Sequence, residues 1–147
     1  MPEPGGTGAA IGGIVGACVG LSLSIGMMIL GKENQKKGII CGKRHTQEFP
    51  WQGSPDDAFR RAQSVLKKLN LKIHSSSISS GVIYSGKVLN FASNPQTVIV
   101  RLLSGRGGLV VSFEVGLSAF PVDNGSCGRL MKRIVNEWQK MGPPRPA

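Results

Sequence analysis

The sequence predicts an α+β chain: an N-terminal transmembrane helix followed by a two-layer domain of helix, antiparallel meander of three or four strands, helix. Three observations predict it. Ala9 to Leu30 are 22 residues without a charge, long enough for one helix to cross a bilayer. Apolar residues recur at helical spacing between residues 54 and 69 and again between 127 and 141. From Leu71 to Ala119 the pattern changes to alternation and short apolar runs, broken by serine- and glycine-rich turns. The chain then divides into an N-terminal tail (1–7), a span (8–31), a basic juxtamembrane linker (32–53), the α+β domain (54–141) and a Pro-rich tail (142–147).

Within the apolar run, Gly8, Gly12, Gly16 and Gly20 fall at every fourth position. That spacing puts all four on one helix face, where a second helix could approach closely and give a homo-oligomer through the span. No Lys or Arg precedes the run, so it lacks the n-region of a secretory signal. Val15-Gly16-Ala17-Cys18 resembles a bacterial lipoprotein cleavage box, although apolar sequence continues for twelve residues beyond Cys18. The glycines do not make a dinucleotide loop, because in Gly6-Thr7-Gly8-Ala9-Ala10-Ile11-Gly12 the third glycine comes one place too late and no strand precedes it.

The positive-inside rule sets the orientation. Lys32, Lys36, Lys37, Lys43 and Arg44 crowd the C-terminal flank and only Glu3 stands on the other side, which places the large C-terminal part in the cytoplasm. The same five residues are candidates for anionic-lipid contact, at roughly 1 kcal/mol each near a charged surface. Net charge is +10, from 18 Lys and Arg against 8 Asp and Glu, so anionic partners are favoured throughout. Cys18, Cys41 and Cys127 form neither a disulfide framework nor a zinc signature and read as free thiols, with Cys41 a palmitoylation candidate.

The linker's glycines and Pro50 break any regular pattern, and Phe49-Pro50-Trp51 is expected to fold back and cap the domain. In Ser54-Pro55-Asp56-Asp57 an N-cap, a Pro at the first helical position and two carboxylates start a helix running to about Leu69. Ala58, Ala62, Val65, Leu66 and Leu69 form its apolar stripe, with Arg60, Arg61, Lys67 and Lys68 largely off it. Strands follow at about 71–76, 82–89, 97–103 and 109–119, joined tightly enough to pair antiparallel. A last helix over about 127–141 presents Leu130, Ile134, Val135, Trp138 and Met141, and Gly142-Pro143-Pro144 ends it. Both helices should pack on one side of the sheet.

Catalytic chemistry is sparse. His45 and His74 have no acidic or thiol neighbour at ligand or triad spacing and read as solvated. Asp56 and Asp57 serve the helix start, Glu114 faces outward from a strand, and the serines 75–77, 79 and 80 are turn material. No catalytic, cofactor-binding or metal-ligating residue is assigned, and no cofactor is implied.

Helix, three strands, helix is also the order of double-stranded RNA-binding domains. Arg129, Lys132 and Arg133 open the last helix where that family carries its basic cluster. The resemblance implies reading of RNA shape and phosphates, but the family's paired-lysine motif and Gly-Pro-x-His loop are missing. A second resemblance rests on Ala58-Phe59-Arg60-Arg61-Ala62, Ser80-Gly81-Val82-Ile83 and the helix from Arg129 to Trp138. It is to small uncharacterised bacterial single-pass membrane proteins in which a helix, a three-strand meander and a helix follow one span. It covers about Ser54 to Met141 and implies a fold, since that family has no assigned activity.

The expectation is a non-enzymatic single-pass membrane protein that self-associates through its span and binds a protein partner or an anionic membrane surface with its cytoplasmic domain. A membrane-tethered nucleic-acid-binding domain and an exported lipoprotein acylated at Cys18 are the alternatives.

Overall fold

The computed structural model describes Leu30 and residues 33–87, 95–119 and 125–142. Residues 33–37 are helical and are labelled α1. They are followed by β1 (Cys41–Trp51), α2 (Pro55–Lys68), β2 (Lys72–Ser77), β3 (Val82–Lys87), β4 (Gln96–Gly105), β5 (Gly108–Leu117) and α3 (Ser126–Lys140). The five strands make one antiparallel sheet in the order β1-β5-β4-β3-β2. The four-strand meander β2 to β5 is as expected, whereas the fifth strand comes from the stretch read as a linker.

α2 starts as its sequence dictates. The Ser54 hydroxyl accepts from the Asp57 amide at 3.2 Å, Pro55 stands at the first helical position, and Lys67 and Lys68 lie in the last turn. Its end is a Schellman motif: Asn70 takes φ 58°, its amide donates to the Lys67 carbonyl, and the Leu71 amide donates to the Leu66 carbonyl at 2.9 Å. The chain leaves the helix there with Leu66 and Leu71 both buried.

α2 and α3 cover one face of the sheet. Ala58, Ala62, Val65 and Leu66 of α2 and Leu130, Ile134 and Trp138 of α3 enclose Val98, Val100, Val111, Phe113 and Val115 from the central strands. β1 closes this core at one edge. Its Phe49 ring stacks on Trp138 at 5.0 Å between centroids, and Trp51 and Phe113 meet the same indole edge-on at 5.7 and 5.6 Å.

β1 could not be read as a strand because only its last third alternates apolar with polar. A register irregularity between Cys41 and His45 takes up extra residues there, and Pro50 pairs opposite Val110. Such a bulge and proline are tolerated at an edge, where Lys43, Arg44 and Glu48 also discourage further pairing.

The other face of the sheet is partly covered by α1 and the residues after it. Gly86, Thr97 and Gly116 lie side by side across β3, β4 and β5, and this row of small residues forms a shallow trough. Gln35 fills the space over Gly86 and Ile40 the space over Gly116, so closely that a Cβ at either glycine would collide with them. Between them the Thr97 hydroxyl donates to the Ile39 carbonyl at 3.3 Å, and the Asn34 side-chain amide donates to the Ser118 carbonyl.

The expected fold class is corrected on two counts. The sheet has five strands, because residues 41–51 are an integral edge strand. The transmembrane helix gains no support either: among the described residues no helix is long and apolar enough to cross a membrane. The expected span 8–31, with Gly8, Gly12, Gly16 and Gly20, lies outside the described residues apart from the helical Leu30. Residues 1–7 and 143–147 of the two tails also lie outside them.

Candidate functional site

The five residues expected to contact lipid do not gather in one place. Lys32 lies outside the described residues, and Lys36 and Lys37 are exposed on α1. Lys43 and Arg44 sit on β1 at the other edge of the sheet, where the Arg44 guanidinium meets Glu114 at 3.2 Å. Glu114 faces outward as expected, but it is engaged from both sides, since Arg101 reaches the same carboxylate oxygen at 2.8 Å. An outward carboxylate held by two arginines is a cross-strand staple.

The concave basic site lies at the β2–β3 edge. Gln35 and Lys36 of α1, Asn70 after α2, Lys72 and His74 of β2, and Gly86 and Lys87 of β3 line an open pocket of about 510 Å³. A second pocket of about 300 Å³ lies beside it, lined by Lys87, Gln96, Ser126, Arg129, Leu130 and Arg133. Lys87 belongs to both. Among the described residues neither lining includes an Asp or Glu, and the two share Lys87 in a basic band between α1 and the first half of α3.

Local structure explains each position. Lys72 stands opposite Gly86 in the β2–β3 ladder, and the register shifts between Ile73 and Ser75, so His74 falls at the irregularity. A bulge of this kind re-aims a side chain. His74 is thereby turned toward α1, with Nε2 2.9 Å from Gln35 Oε1. Gln35 is only 1% exposed, and its amide donates to the carbonyls of Gln96 at 2.7 Å and Lys87 at 3.4 Å. Those two acceptors fix which end of the amide carries hydrogens, so its oxygen faces the imidazole and His74 Nε2 is the donor.

His74 is therefore half-buried and built into the pocket wall, not solvated as its strand alternation suggests. His45 is also half-buried, with its ring beside Gly128 of α3. Among the described residues no group of three or more His, Cys, Asp or Glu could hold a metal ion. The basic cluster at the start of α3 divides: Arg129 and Arg133 line the second pocket, while Lys132 turns to a separate depression with Gln47 and Met131.

Arg61 departs furthest from its expected place off the apolar stripe of α2. Its guanidinium lies over the rings of Trp51 and Trp138, 5.2 and 4.6 Å from their centroids, and Nη2 donates to the carbonyls of Trp138 at 2.6 Å and Gly142 at 2.5 Å. Burial pushes its pKa below the usual arginine value. The side chain clamps α2, β1 and the end of α3 together and is not part of the basic band.

Sequence reasoning reached Lys36, Arg129 and Arg133 through charge clustering alone. It missed Lys72, Lys87, His74 and Gln35, which are far apart in the chain and meet only because β2, β3 and α1 converge. The sequence matches no known family, and no curated protein matches it. Among solved structures, a crystal structure of an uncharacterised protein from Bacillus thuringiensis is similar over 67% of this chain and 94% of its own length, at 9% identity and a TM-score of 0.35.

Proposed function

We propose that the domain is a non-enzymatic binding module that holds an acidic segment of a partner protein along the basic band. One observation carries this reading: two adjoining pockets share Lys87 and are lined by Lys36, Lys72, Arg129 and Arg133, with no carboxylate among their described lining residues. Like charges that lack acidic neighbours repel one another in the free protein. An acidic ligand removes that repulsion and gains the focused field of a concave surface.

Four of the described carboxylates are engaged away from the band. Asp56 and Asp57 sit in the first turn of α2, Glu114 holds Arg44 and Arg101, and Glu137 meets Lys140 at 3.1 Å. Discrete pockets also suit side chains of an extended peptide better than the plane of a lipid surface. A nucleic-acid reading gains no support from α3, because Arg129 and Arg133 point to one pocket and Lys132 to another.

The test is fluorescence anisotropy of a labelled ten-residue peptide rich in glutamate, titrated with the full chain and with the Lys87→Glu/Arg133→Glu variant. The reading expects binding that the double substitution abolishes. Equal binding by the two proteins, or tighter binding of a double-stranded RNA of matched charge through the same residues, would overturn it.

A further inference from the structure

The pocket between α1, β2 and β3 differs from the rest of the band in the balance of what it offers a ligand. We infer that it is a phosphoryl-recognition site, which takes a phosphate monoester carried on the acidic segment. The inference rests on the binding reading above and adds the chemical class of the group that enters this pocket.

Three features lead to it. The first is charge. Lys36, Lys72 and Lys87 line one pocket of about 510 Å³ with no carboxylate among the described lining residues. A single carboxylate would balance one of these cations, whereas a phosphate monoester carries a charge of about −1.5 to −2 at neutral pH and presents three acceptor oxygens.

The second is the consumption of acceptors. The Gln35 amide nitrogen takes up the carbonyls of Gln96 and Lys87, and its oxygen takes up His74 Nε2. The Gln35 amide at the pocket wall is thus fully engaged from within. The lysines, which can only donate, are left to face the ligand. An acceptor-only dianion is the complement of such a wall.

The third is preorganisation. Gln35 is buried and held by three hydrogen bonds, and it fills the space over Gly86 so closely that no side chain could stand there. The floor of the pocket is therefore fixed before a ligand arrives, and less ordering remains to be done on binding. Lys72 and Gly86 are directly paired across the ladder with Lys87 next in the chain, so both lysines sit on backbone set by strand pairing. Lysine acts here as a point charge, the role it takes in other phosphate sites.

The experiment compares three peptides of one acidic sequence that differ at a central position: phosphoserine, glutamate or serine. Each is titrated against the full chain, Lys72→Glu, Lys72→Gln and Arg129→Glu. The phosphoserine peptide is expected to bind about tenfold more tightly than the glutamate peptide, a difference of about 1.4 kcal/mol. Both Lys72 variants should erase that preference, weakening the phosphoserine peptide by about tenfold more than the glutamate peptide, because the phosphoryl group is what Lys72 meets in this pocket. Arg129→Glu should weaken all three peptides and keep the preference.

Equal affinity of wild type for phosphoserine and glutamate peptides would overturn the phosphoryl inference and leave the acidic-segment reading standing. Absence of binding by all three peptides would overturn both. A phosphoserine preference that survives both Lys72 variants would place phosphate recognition elsewhere on the surface and also overturn the inference.

Discussion

The Gln35 side-chain amide donates to the Gln96 carbonyl at 2.7 Å, across 61 residues of chain. This bond ties the segment before β1 to the start of the central strand and builds the wall of the basic pocket at the same time. Gln35→Leu keeps the volume but leaves two carbonyls and His74 Nε2 without that partner. The variant should lose about 1–3 kcal/mol of stability in urea unfolding, and binding at the pocket should weaken with it. Unchanged stability would show that the segment does not depend on this bond.

Gly86 and Gly116 are needed for the same docking, because Gln35 and Ile40 occupy the places their Cβ atoms would take. Gly116→Val should displace Ile40 and destabilise the chain by about 1–3 kcal/mol, the usual range for overpacking. Gly107→Ala, at a turn position with nothing within 4 Å of an added Cβ, serves as the control. Comparable unfolding midpoints for the two would contradict the close packing.

Arg61 lies over two indoles and donates to two carbonyls. Arg61→Met should cost about 2–3 kcal/mol, since it removes both cation–π contacts and two charge-assisted hydrogen bonds. Tryptophan emission should shift as Trp51 and Trp138 rearrange. Arg61→Lys should recover only part of the loss, because an ammonium lacks the planar guanidinium face that lies over the two indoles. Full recovery by lysine would mean that charge alone matters there.

Cys127 is 1% exposed in the core, whereas Cys41 is partly exposed at the start of β1. In a chain carrying Cys18→Ser, a thiol reagent should label Cys41 promptly and Cys127 only as the core opens. Mass spectrometry of the labelled peptides reads the order directly. Early labelling of Cys127 would contradict the packing of α3 on the sheet.

Much of the domain was legible because its signals are local. Ser54-Pro55-Asp56-Asp57 contains everything a helix start needs, and the Val- and Ile-rich runs around Val98 and Val111 could only be buried strands. β1 was not legible for a matching reason. Its charged, bulged first half gains strand character only by pairing with β5, a partner more than sixty residues away, and short-range periodicity does not record such pairing.

The site was legible in charge and not in position. The sequence shows that Lys36, Arg129 and Arg133 are cationic. The contribution of Lys72, Lys87 and His74 depends on the ladder between β2 and β3 and on a bulge that no turn residue announces. The assignment of His74 as solvated followed simple alternation, which that bulge breaks. Arg61 shows the same limit from the other side: it lies at the margin of the apolar stripe of α2, yet two indoles and two carbonyls draw it into the structure.

The measurement that bears most directly on the central claim is an amide chemical-shift map of the full chain titrated with the glutamate-rich peptide at low and at moderate salt. Perturbations are expected at Lys36, Lys72, Lys87, Arg129 and Arg133, all shrinking as salt is raised. Perturbations centred instead on Arg44 and Arg101 around Glu114, or none at either salt concentration, would contradict it.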